Sequence, residues 1–523
     1  MGRAVVGRFA YDAGRVRVAE RDGSWRVRWS ESILHPDLGE GQRLGTEVVA
    51  AERAPILDRE GGELVRNRPV VEVGVIPHKL EDRDAAVEAI TGATEASAKS
   101  LRRSIARAKP ANFVPAVTMR RGEFDSIRGP LDDIKGIEFG DRSLPLAPTR
   151  DFARALLGTV GPITQEQLDE LGAPYEAGDL VGQGGLQEAH EERLAGTDTR
   201  RVVIRDSADI AIDTLLEIEG EEGRPLRTTL DAETQLAAER ALGDVRGKAA
   251  LVAVRPSNGD VLAAANRPTD EAFNRAFEGQ YPPGSTFKVI STAALLKAGL
   301  DPGETVECPR FIDVGGMQFK NFEGSAAGAV PFRTDFAESC NTAFVSLAER
   351  LDRGALRDAS AGFGIGSGHE LGAPAYLGKV PPGRNDVEHA AAMIGQARIL
   401  VSPLALAGVA AAVVEGRWRA PRTLGSDSRE AGRPLPRQQV RILRELMRLV
   451  VTDGTGTALA ATEGDPIGKS GTAEYRSGDP PPTHAWFIAA RDDIAVAVLV
   501  ENAPSGGESA APIAAEFLDE VAR

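Results

Sequence analysis

The stretch YPPGSTFKVISTAALLKAG, residues 281–299, decides the fold of the C-terminal part of the chain. It predicts an apolar helix that begins near Ser285 and carries Lys288 three residues later. Side chains three residues apart leave the same face of a helix. A lysine at this place either extends its ammonium group into solvent or acts as a base. The rest of the sequence must distinguish these two roles.

Two further motifs follow in the same part of the chain, each found once: Ser339-Cys340-Asn341 and Lys469-Ser470-Gly471-Thr472. Alone, each has an ordinary explanation, because Ser339 suits a helix N-cap and the second motif suits a strand with a polar edge. A Ser-x-x-Lys, a Ser-x-Asn and a Lys-Ser-Gly in this order form a known set for acyl-serine chemistry. Their coincidence predicts one active site.

The chemistry of these side chains is consistent with that prediction. A serine hydroxyl becomes a good nucleophile only when a base removes its proton. Lys288 is such a base if its pKa falls below its ordinary value, and both burial and the second ammonium of Lys469 lower it. We therefore predict that Ser285 is the nucleophile and Lys288 the base.

The other motif residues have predicted roles around that pair. Ser339 relays a proton to the leaving group, and the Asn341 amide holds Lys288 and the substrate backbone. Lys469 supplies a positive charge for a substrate carboxylate. Thr472 offers its hydroxyl to that carboxylate and its N–H to an oxyanion hole, with Ser470 and Gly471 completing the binding strand.

The pattern around the motifs predicts an α+β domain. Asp231 caps a helix, two strands flank an Asn258-Gly259 turn, and two more flank Asp492-Asp493 near the C-terminus. Strands at both ends with helices between them predict an antiparallel sheet that the two chain ends complete. Residues 220–226 read as the linker that precedes this domain.

The upstream part is less regular. Residues 16–29 alternate apolar and polar side chains around Asp22-Gly23 and predict a β-hairpin, which needs a partner sheet or packs on the next domain. Residues 80–205 are predicted to mix charged helices with loops, including one helix between Thr164 and Gly172. The glycines at 182, 184 and 185 lack the ending of a phosphate loop and predict a turn into a helix.

Composition narrows the function. The 523 residues carry a net charge of -15 and no basic cluster with interleaved aromatics, so we predict no nucleic-acid partner. The six histidines show no metal-ligand spacing, so we predict no metal site. The apolar run from Leu404 to Val414 is too short for a membrane span and predicts a buried helix.

From about Arg224 onward the chain resembles the transpeptidase domain of class B penicillin-binding proteins. The resemblance extends beyond the three motifs to stretches in family order: IGQARILVSPLALA, TDGTGTA and HAWF. Upstream, RAPILDREGGELV and GQGGLQEAHEERLAGT resemble the non-catalytic pedestal, and GSWRVRWSESILHPDL resembles the end of an NTF2-like domain. The implied division is an NTF2-like remnant (1–45), an elongated mixed α/β pedestal (46–222) and a transpeptidase domain (223–523).

The resemblance implies a peptidoglycan D,D-transpeptidase without a cofactor. It implies a D-Ala-D-Ala stem peptide as donor, an amine as acceptor, acylation by β-lactams, and a separate glycosyltransferase as partner. It also implies the extracytoplasmic face of the bacterial membrane, with the family's anchor missing because the chain starts late. The alternatives are a D,D-carboxypeptidase, a β-lactamase, a β-lactam sensor and an idle scaffold of the cell-wall machinery.

Some features depart from the pattern or leave alternatives. The family's Gly-Gln-Gly reads Gly-Gln-Ala at 395–397, which affects local loop geometry, and no Glu-x-x-Leu-Asn of the class A β-lactamase kind is present. Cys308 and Cys340 fit either buried thiols or a disulfide. Trp486 and Phe487 are expected to pack the sheet, and Tyr281 either packs there or rims the cleft.

Overall fold

A computed structural model describes residues 16–425, 430–478 and 481–522 of the chain. Its strands are β1 (Val18–Arg21), β2 (Ser24–Val27), β3 (Arg43–Val49), β4 (Ile56–Leu57), β5 (Glu63–Val75), β6 (Val114–Arg120), β7 (Ile137–Leu146), β8 (Thr159–Pro162), β9 (Leu180–Gln183), β10 (Thr199–Arg205), β11 (Ala211–Ile218), β12 (Leu226–Arg227), β13 (Ala249–Val254), β14 (Val261–Arg267), β15 (Thr305–Cys308), β16 (Phe311–Val314), β17 (Met317–Lys320), β18 (Gly328–Pro331), β19 (Ile467–Glu474), β20 (Thr483–Arg491) and β21 (Ile494–Val500).

The α-helices are α1 (Arg83–Ala93), α2 (Ala98–Arg107), α3 (Arg121–Asp132), α4 (Arg154–Leu157), α5 (Gln165–Leu171), α6 (Gly185–Ala189), α7 (Glu191–Ala195), α8 (Ala232–Ala241), α9 (Arg275–Glu278), α10 (Lys288–Lys297), α11 (Phe332–Ala337), α12 (Asn341–Ser346), α13 (Ala355–Gly362), α14 (Asp386–Ala392), α15 (Pro403–Glu415), α16 (Arg437–Asp453) and α17 (Ala511–Glu520). In the described ranges no helix is both long and apolar enough to cross a bilayer.

The chain divides into two compact units, of which the first comprises Met1–Pro55 and His190–Leu226. The predicted hairpin is present as β1 and β2, with Val18 opposite Val27. Its apolar side chains, Trp25 among them, are exposed, and β1 and β2 pair only with each other within the described residues. Of the predicted NTF2-like remnant, residues 1–15 lie outside the described part. A separate three-stranded sheet has the order β11-β10-β3.

The second unit comprises Ile56–Ala189 and Arg227–Arg523. Its upstream part contains β5, which pairs antiparallel with β6 and with β7. Val71, Val73 and Val75 alternate along β5 and pack with buried side chains of α1, α2 and α3. The prediction of charged helices mixed with loops for residues 80–205 is therefore incomplete, because the same stretch also contains the strands β6, β7, β8 and β9. The helix between Thr164 and Gly172 and the turn into α6 are confirmed.

The predicted α+β domain is confirmed downstream. Its antiparallel sheet has the order β14-β13-β21-β20-β19, so strands from both ends of the segment lie side by side. One face packs with α8 and α17, and α15 contacts the sheet through β13, β20 and β21. Since both faces are covered, the central strands are apolar along their length. The strand β19 lies at the edge and carries the third motif.

Candidate active site

Ser285 lies in a single 3-10 turn, Gly284–Phe287, that leads directly into α10. Its neighbours Thr286 and Phe287 are buried, whereas Ser285 is half-buried. Within the described residues, the Ser285 hydroxyl makes no hydrogen bond. The turn therefore presents a hydroxyl that no neighbouring group occupies, one helical turn from Lys288.

Lys288 is fully buried, so it is not a solvated stem. Its Nζ lies 2.7 Å from the Ser339 carbonyl, 2.8 Å from Asn341 Oδ1 and 3.3 Å from Ser339 Oγ. The ring of Phe344 lies 5.1 Å away and gives the amine an apolar wall with a weak cation–π attraction. The Ser-x-x-Lys motif and the Ser339-Cys340-Asn341 motif are therefore in direct contact.

These contacts determine what Lys288 can do with a proton. The Ser339 carbonyl and Asn341 Oδ1 accept hydrogen bonds and cannot donate them, so they take two of the hydrogens on Nζ. The remaining position is a third N–H in the ammonium form and a lone pair in the neutral form. Lys288 is thus held by two fixed acceptors in either state, with one site left for proton exchange.

Ser339 joins the two lysines. Lys469 Nζ donates to Ser339 Oγ over 2.9 Å, on the hydroxyl that also contacts Lys288. Ser339 has a φ of +61°, which is uncommon for a residue with a side chain. The N-cap explanation of Ser339 is wrong, because Cys340 occupies the N-cap position of α12. The Ser339 hydroxyl lies between the two lysine amines instead.

Burial and proximity change the basicity of both amines. Burial, followed by the nearby charge of Lys469, holds the pKa of Lys288 well below its usual range. Burial also lowers the pKa of Lys469 to about 7. Both groups therefore exchange protons at a pH where an exposed lysine remains fully charged, as a base in this position requires.

The edge strand β19 lies against the Ser285 turn by close backbone contact. A β-carbon on Gly471 would lie 3.0 Å from the Pro283 carbonyl oxygen and 2.8 Å from a methyl group of Thr286. Gly284 has a φ of +53°, and a β-carbon on it would lie 2.5 Å from the Thr472 carbonyl oxygen. Glycine at both positions lets the first and third motifs approach directly.

The remaining residues of the third motif have separate contacts. Ser470 Oγ lies 2.6 Å from Thr455 Oγ1, which belongs to the TDGTGTA stretch. Thr472 is half-buried, and its hydroxyl accepts a 3.4 Å hydrogen bond from the Gly506 N–H. The Lys469 amine also donates to the Ser470 carbonyl over 3.0 Å. The strand thus carries a half-buried hydroxyl at Thr472 and a fully buried amine at Lys469.

Sequence reasoning missed Asn321, which fixes the second motif. Its side-chain oxygen accepts from the N–H groups of Asn341 and Thr342, at 2.8 and 3.0 Å. Its side-chain nitrogen donates to the carbonyls of Pro309 and Ser325. A single sequence gives no signal for a buried asparagine with four backbone partners. The partners of Asn321 lie 4 to 21 residues away and follow no regular spacing.

Cys308 and Cys340 form a disulfide, with their Cα atoms 6.2 Å apart. Cys340 lies between Ser339 and Asn341, so a covalent bond ties the second motif to the end of β15. Of the alternatives that the sequence left open, the disulfide is the one present.

Asp335, on α11, is a second residue that the sequence analysis did not identify. It is fully buried, and neither of its carboxyl oxygens has a hydrogen-bond partner within the described residues. Burial raises the pKa of Asp335 to about 7, against the opposing attraction of Lys288. The Asp335 carboxyl is close enough to Lys288 that its negative charge raises the pKa of the amine. It also lies close to the two sulfurs of the disulfide.

The aromatic residues beside the motifs pack as expected. Trp486 and Phe487 are fully buried in β20, and Trp486 Nε1 donates to the Pro282 carbonyl over 3.0 Å. Tyr281 donates its hydroxyl to Glu501 over 2.7 Å and contacts Trp486 edge to face. The packing alternative for Tyr281 is therefore supported.

The site thus contains a serine on a helical turn, two buried lysines and a hydroxyl shared between them on the edge of an antiparallel sheet. Residues 249–519 match the family described as penicillin binding protein transpeptidase domain, and residues 48–228 match the penicillin-binding protein dimerisation domain. The chain belongs to the class B penicillin-binding proteins. It is a serine-type D-Ala-D-Ala transpeptidase of peptidoglycan synthesis.

Individual relatives agree with that assignment. The chain is 32% identical to the peptidoglycan D,D-transpeptidase PbpA of Mycobacterium tuberculosis over 396 residues, 63% of this chain and 77% of the relative. It is 24% identical to the peptidoglycan D,D-transpeptidase MrdA of Acinetobacter baumannii over 564 residues, 93% and 83% of the two chains.

Two solved structures share the fold. One chain in a complex between a penicillin-binding protein and MreC from Helicobacter pylori has a TM-score of 0.71, at 19% identity, covering 92% of this chain and 99% of that one. A chain from a study of a peptidoglycan synthase complex has a TM-score of 0.72, at 23% identity, covering 92% of each.

Proposed function

We propose that Ser285 is the nucleophile of this transpeptidase and that Lys288 is its base. The observation that carries the proposal is the hydrogen-bonded set of Lys288, Ser339, Asn341 and Lys469, which unites residues of three distant segments. The Ser285 turn packs against the strand that bears Lys469. The depressed pKa of Lys288 supports a role as proton acceptor at neutral pH.

The reaction proceeds in two acyl transfers. The Ser285 hydroxyl proton passes to Lys288 while its oxygen attacks the carbonyl of the penultimate D-Ala. The carbon–nitrogen bond then breaks, and the departing D-Ala nitrogen receives that proton from Lys288 through Ser339. The amine of a second stem peptide attacks the acyl-serine ester, forms the new amide, and returns a proton to the Ser285 oxygen.

The third motif recognises the end of the donor. Lys469 and the Thr472 hydroxyl bind the terminal carboxylate, and the Thr472 N–H stabilises the oxyanion. Ser470 and Gly471 shape that strand, Gly471 by admitting the Ser285 turn. Asn341 holds Lys288 with its oxygen and donates through its nitrogen to the Lys320 carbonyl, which orients the amide.

The wider assignments belong to the same proposal. β-Lactams acylate Ser285, glycan polymerisation comes from a separate glycosyltransferase of the cell-wall machinery, and the enzyme works at the extracytoplasmic face of the membrane. The two solved structures come from studies of a complex with MreC and of a peptidoglycan synthase complex, which supports work within an assembly. We also propose the division into residues 1–45, 46–222 and 223–523.

Labelling with a fluorescent penicillin tests the nucleophile. We expect a persistent covalent adduct on the native chain and none on Ser285→Ala. Ser346→Ala is the matched control, because the exposed Ser346 hydroxyl only donates to the Ala343 carbonyl of its own helix. Absence of label on the native chain would refute the proposal. Loss of the label within seconds would favour a β-lactamase.

Product analysis then separates the remaining activities. A stem-peptide donor is incubated with and without an amine acceptor. We expect a cross-linked product that requires the acceptor and Ser285. Release of D-Ala alone, with the acceptor ignored, would identify a D,D-carboxypeptidase instead.

A further inference from the structure

The free edge of β19 has a defined polarity. On the other edge β19 pairs with β20, and just beyond the strand the Tyr475 N–H donates to the Pro482 carbonyl. Because successive residues of a strand point their N–H and C=O groups to opposite sides, the odd-numbered residues face β20. The backbone groups of Ser470, Thr472 and Glu474 therefore point to the free edge, on the side of the cleft.

At Glu474 that edge is already occupied. The hydrogen-bond pattern assigns the side-chain amide of Gln396 with its nitrogen toward the Glu474 carbonyl and its oxygen toward the Glu474 N–H. In that orientation it makes two hydrogen bonds of 3.1 Å. An amide presents one donor and one acceptor, as a peptide group of a neighbouring strand does. Gln396 thus takes the place that a residue of an added strand would have.

The loop that carries Gln396 is fixed to the Ser285 turn. The Gly284 N–H donates to the Gly395 carbonyl over 3.1 Å, and a β-carbon on Gly395 would lie 2.1 Å from the Gly284 oxygen. On the other side of Gln396, Ala397 has a φ of +64°, a conformation that residues with a side chain disfavour. The loop keeps this strained residue and holds the amide at the strand edge.

We propose that Gln396 terminates the strand-pairing edge at Glu474, so that the donor peptide forms main-chain hydrogen bonds with Thr472 alone. This inference rests on the proposed function, in which the Thr472 N–H binds the scissile carbonyl. If the same donor residue gives its own N–H to the Thr472 carbonyl, the two residues form a hydrogen-bonded antiparallel pair. The fourth residue from the donor's C-terminus then lies opposite Glu474.

The consequence is a limit on donor recognition. The last three residues of the donor lie along the free edge, and the fourth finds both backbone groups of Glu474 taken by Gln396. The substrate class is therefore a peptide whose last three residues are recognised by the enzyme in an extended conformation. Its chain turns away from the strand before the fourth residue from the C-terminus. Gln396 acts as a specificity residue and takes no part in bond making.

A series of peptides with two to five residues, all ending in D-Ala-D-Ala, tests the inference. The measurement is kcat/KM for D-Ala release. On the native enzyme we expect the four-residue and three-residue donors to have similar values. On Gln396→Ala we expect the four-residue donor to gain about tenfold over the three-residue donor, or about 1.4 kcal/mol, within the range expected for two backbone hydrogen bonds.

Two further variants make the result specific. Gln396→Glu keeps the acceptor for the Glu474 N–H and loses the donor, so we expect a smaller gain. Ala397→Gly relieves the strained residue and keeps the amide, so its donor ratio should match that of the native enzyme. Penicillin labelling of Ser285 in every variant separates a failure of this inference from a failure of the proposed function.

Two results would overturn the inference. The first is a native enzyme whose kcat/KM for the four-residue donor is already tenfold higher than for the three-residue donor. This test uses only the native enzyme, so it does not depend on whether a variant folds. The second is a Gln396→Ala enzyme that loses activity equally on all donors, since that would give Gln396 only a structural role in the loop.

Discussion

Replacing Asp335 by asparagine should change how stability depends on pH. Asp335 is fully buried, and its carboxyl oxygens have no hydrogen-bond partner within the described residues, so its charged form is costly. Because burial raises the pKa of Asp335 to about 7, the folded chain keeps a proton that the unfolded chain releases near pH 4. The native chain therefore loses stability as the pH rises from about 4 to 7, and Asp335→Asn does not.

The magnitude follows from the two pKa values. The difference between the ordinary value of 3.8 and about 7 corresponds to about 4 kcal/mol, at roughly 1.36 kcal/mol for each pKa unit. The free energy of unfolding of Asp335→Asn, relative to the native chain, should therefore increase by about 4 kcal/mol between about pH 4 and pH 8. Above about pH 8 the difference should stay constant, because Asp335 is then ionised in both states.

Thermal unfolding of both chains between pH 4 and pH 8 measures this difference. Each kcal/mol shifts Tm by about 2–4 °C in a domain of roughly 150–250 residues and by less in a larger one, so for residues 223–523 the gap should widen by several degrees. Asp313→Asn, at an exposed position of β16, is the matched control and should show a constant gap. A constant gap for Asp335→Asn would refute the reasoning, and a narrowing gap would mean that an ion pair with Lys288 stabilises the carboxylate.

Three other perturbations have defined outcomes. Lys469→Met removes the charge that helps to depress the pKa of Lys288, so the acid limb of the penicillin acylation rate should move to higher pH; an unmoved limb would mean that burial alone sets it. The double variant Cys308→Ser, Cys340→Ser should lower the free energy of unfolding by about 3–4 kcal/mol for a loop of this length in urea titrations, and no loss would contradict a disulfide in solution. Thr472→Val should raise KM for donors with a free C-terminal carboxylate and leave their C-terminal amides unaffected, whereas equal effects on both would exclude carboxylate binding.

The strands of the transpeptidase domain could be predicted from the sequence because turns and apolar runs are local features of the chain. The turns at Asn258-Gly259 and Asp492-Asp493 lie between apolar runs, and each pair of runs forms adjacent strands. The upstream sheet was missed because β5 contains Pro69 and several charged residues and β6 and β7 are apolar on one face only. Those strands are stabilised by pairing with distant segments, which a local pattern does not report.

The site was predictable in its members and not in its details. Motif order alone named Lys288, Ser339, Asn341 and Lys469, and these four side chains are linked by hydrogen bonds. The disulfide depended on the distance between two Cα atoms, which no spacing in the sequence encodes. Asn321 and Asp335 belong to no motif, and Gln396 belongs to the Gly-Gln-Ala stretch, which does not by itself indicate a contact with Glu474; the contacts of all three come only from the folded chain.

The close approach of Gly284 and Gly471 has an evolutionary consequence. The Ser285 turn and the strand β19 approach this closely only because neither glycine has a side chain, since a β-carbon at either one would press on the opposite segment. A single methyl group there would push the Ser285 turn away from β19 without changing the Ser285, Lys288 or Lys469 side chains themselves. Under the proposed mechanism, variants that escape β-lactams by widening this gap would also bind the stem peptide more weakly, so a change at these two glycines is a poor route to resistance.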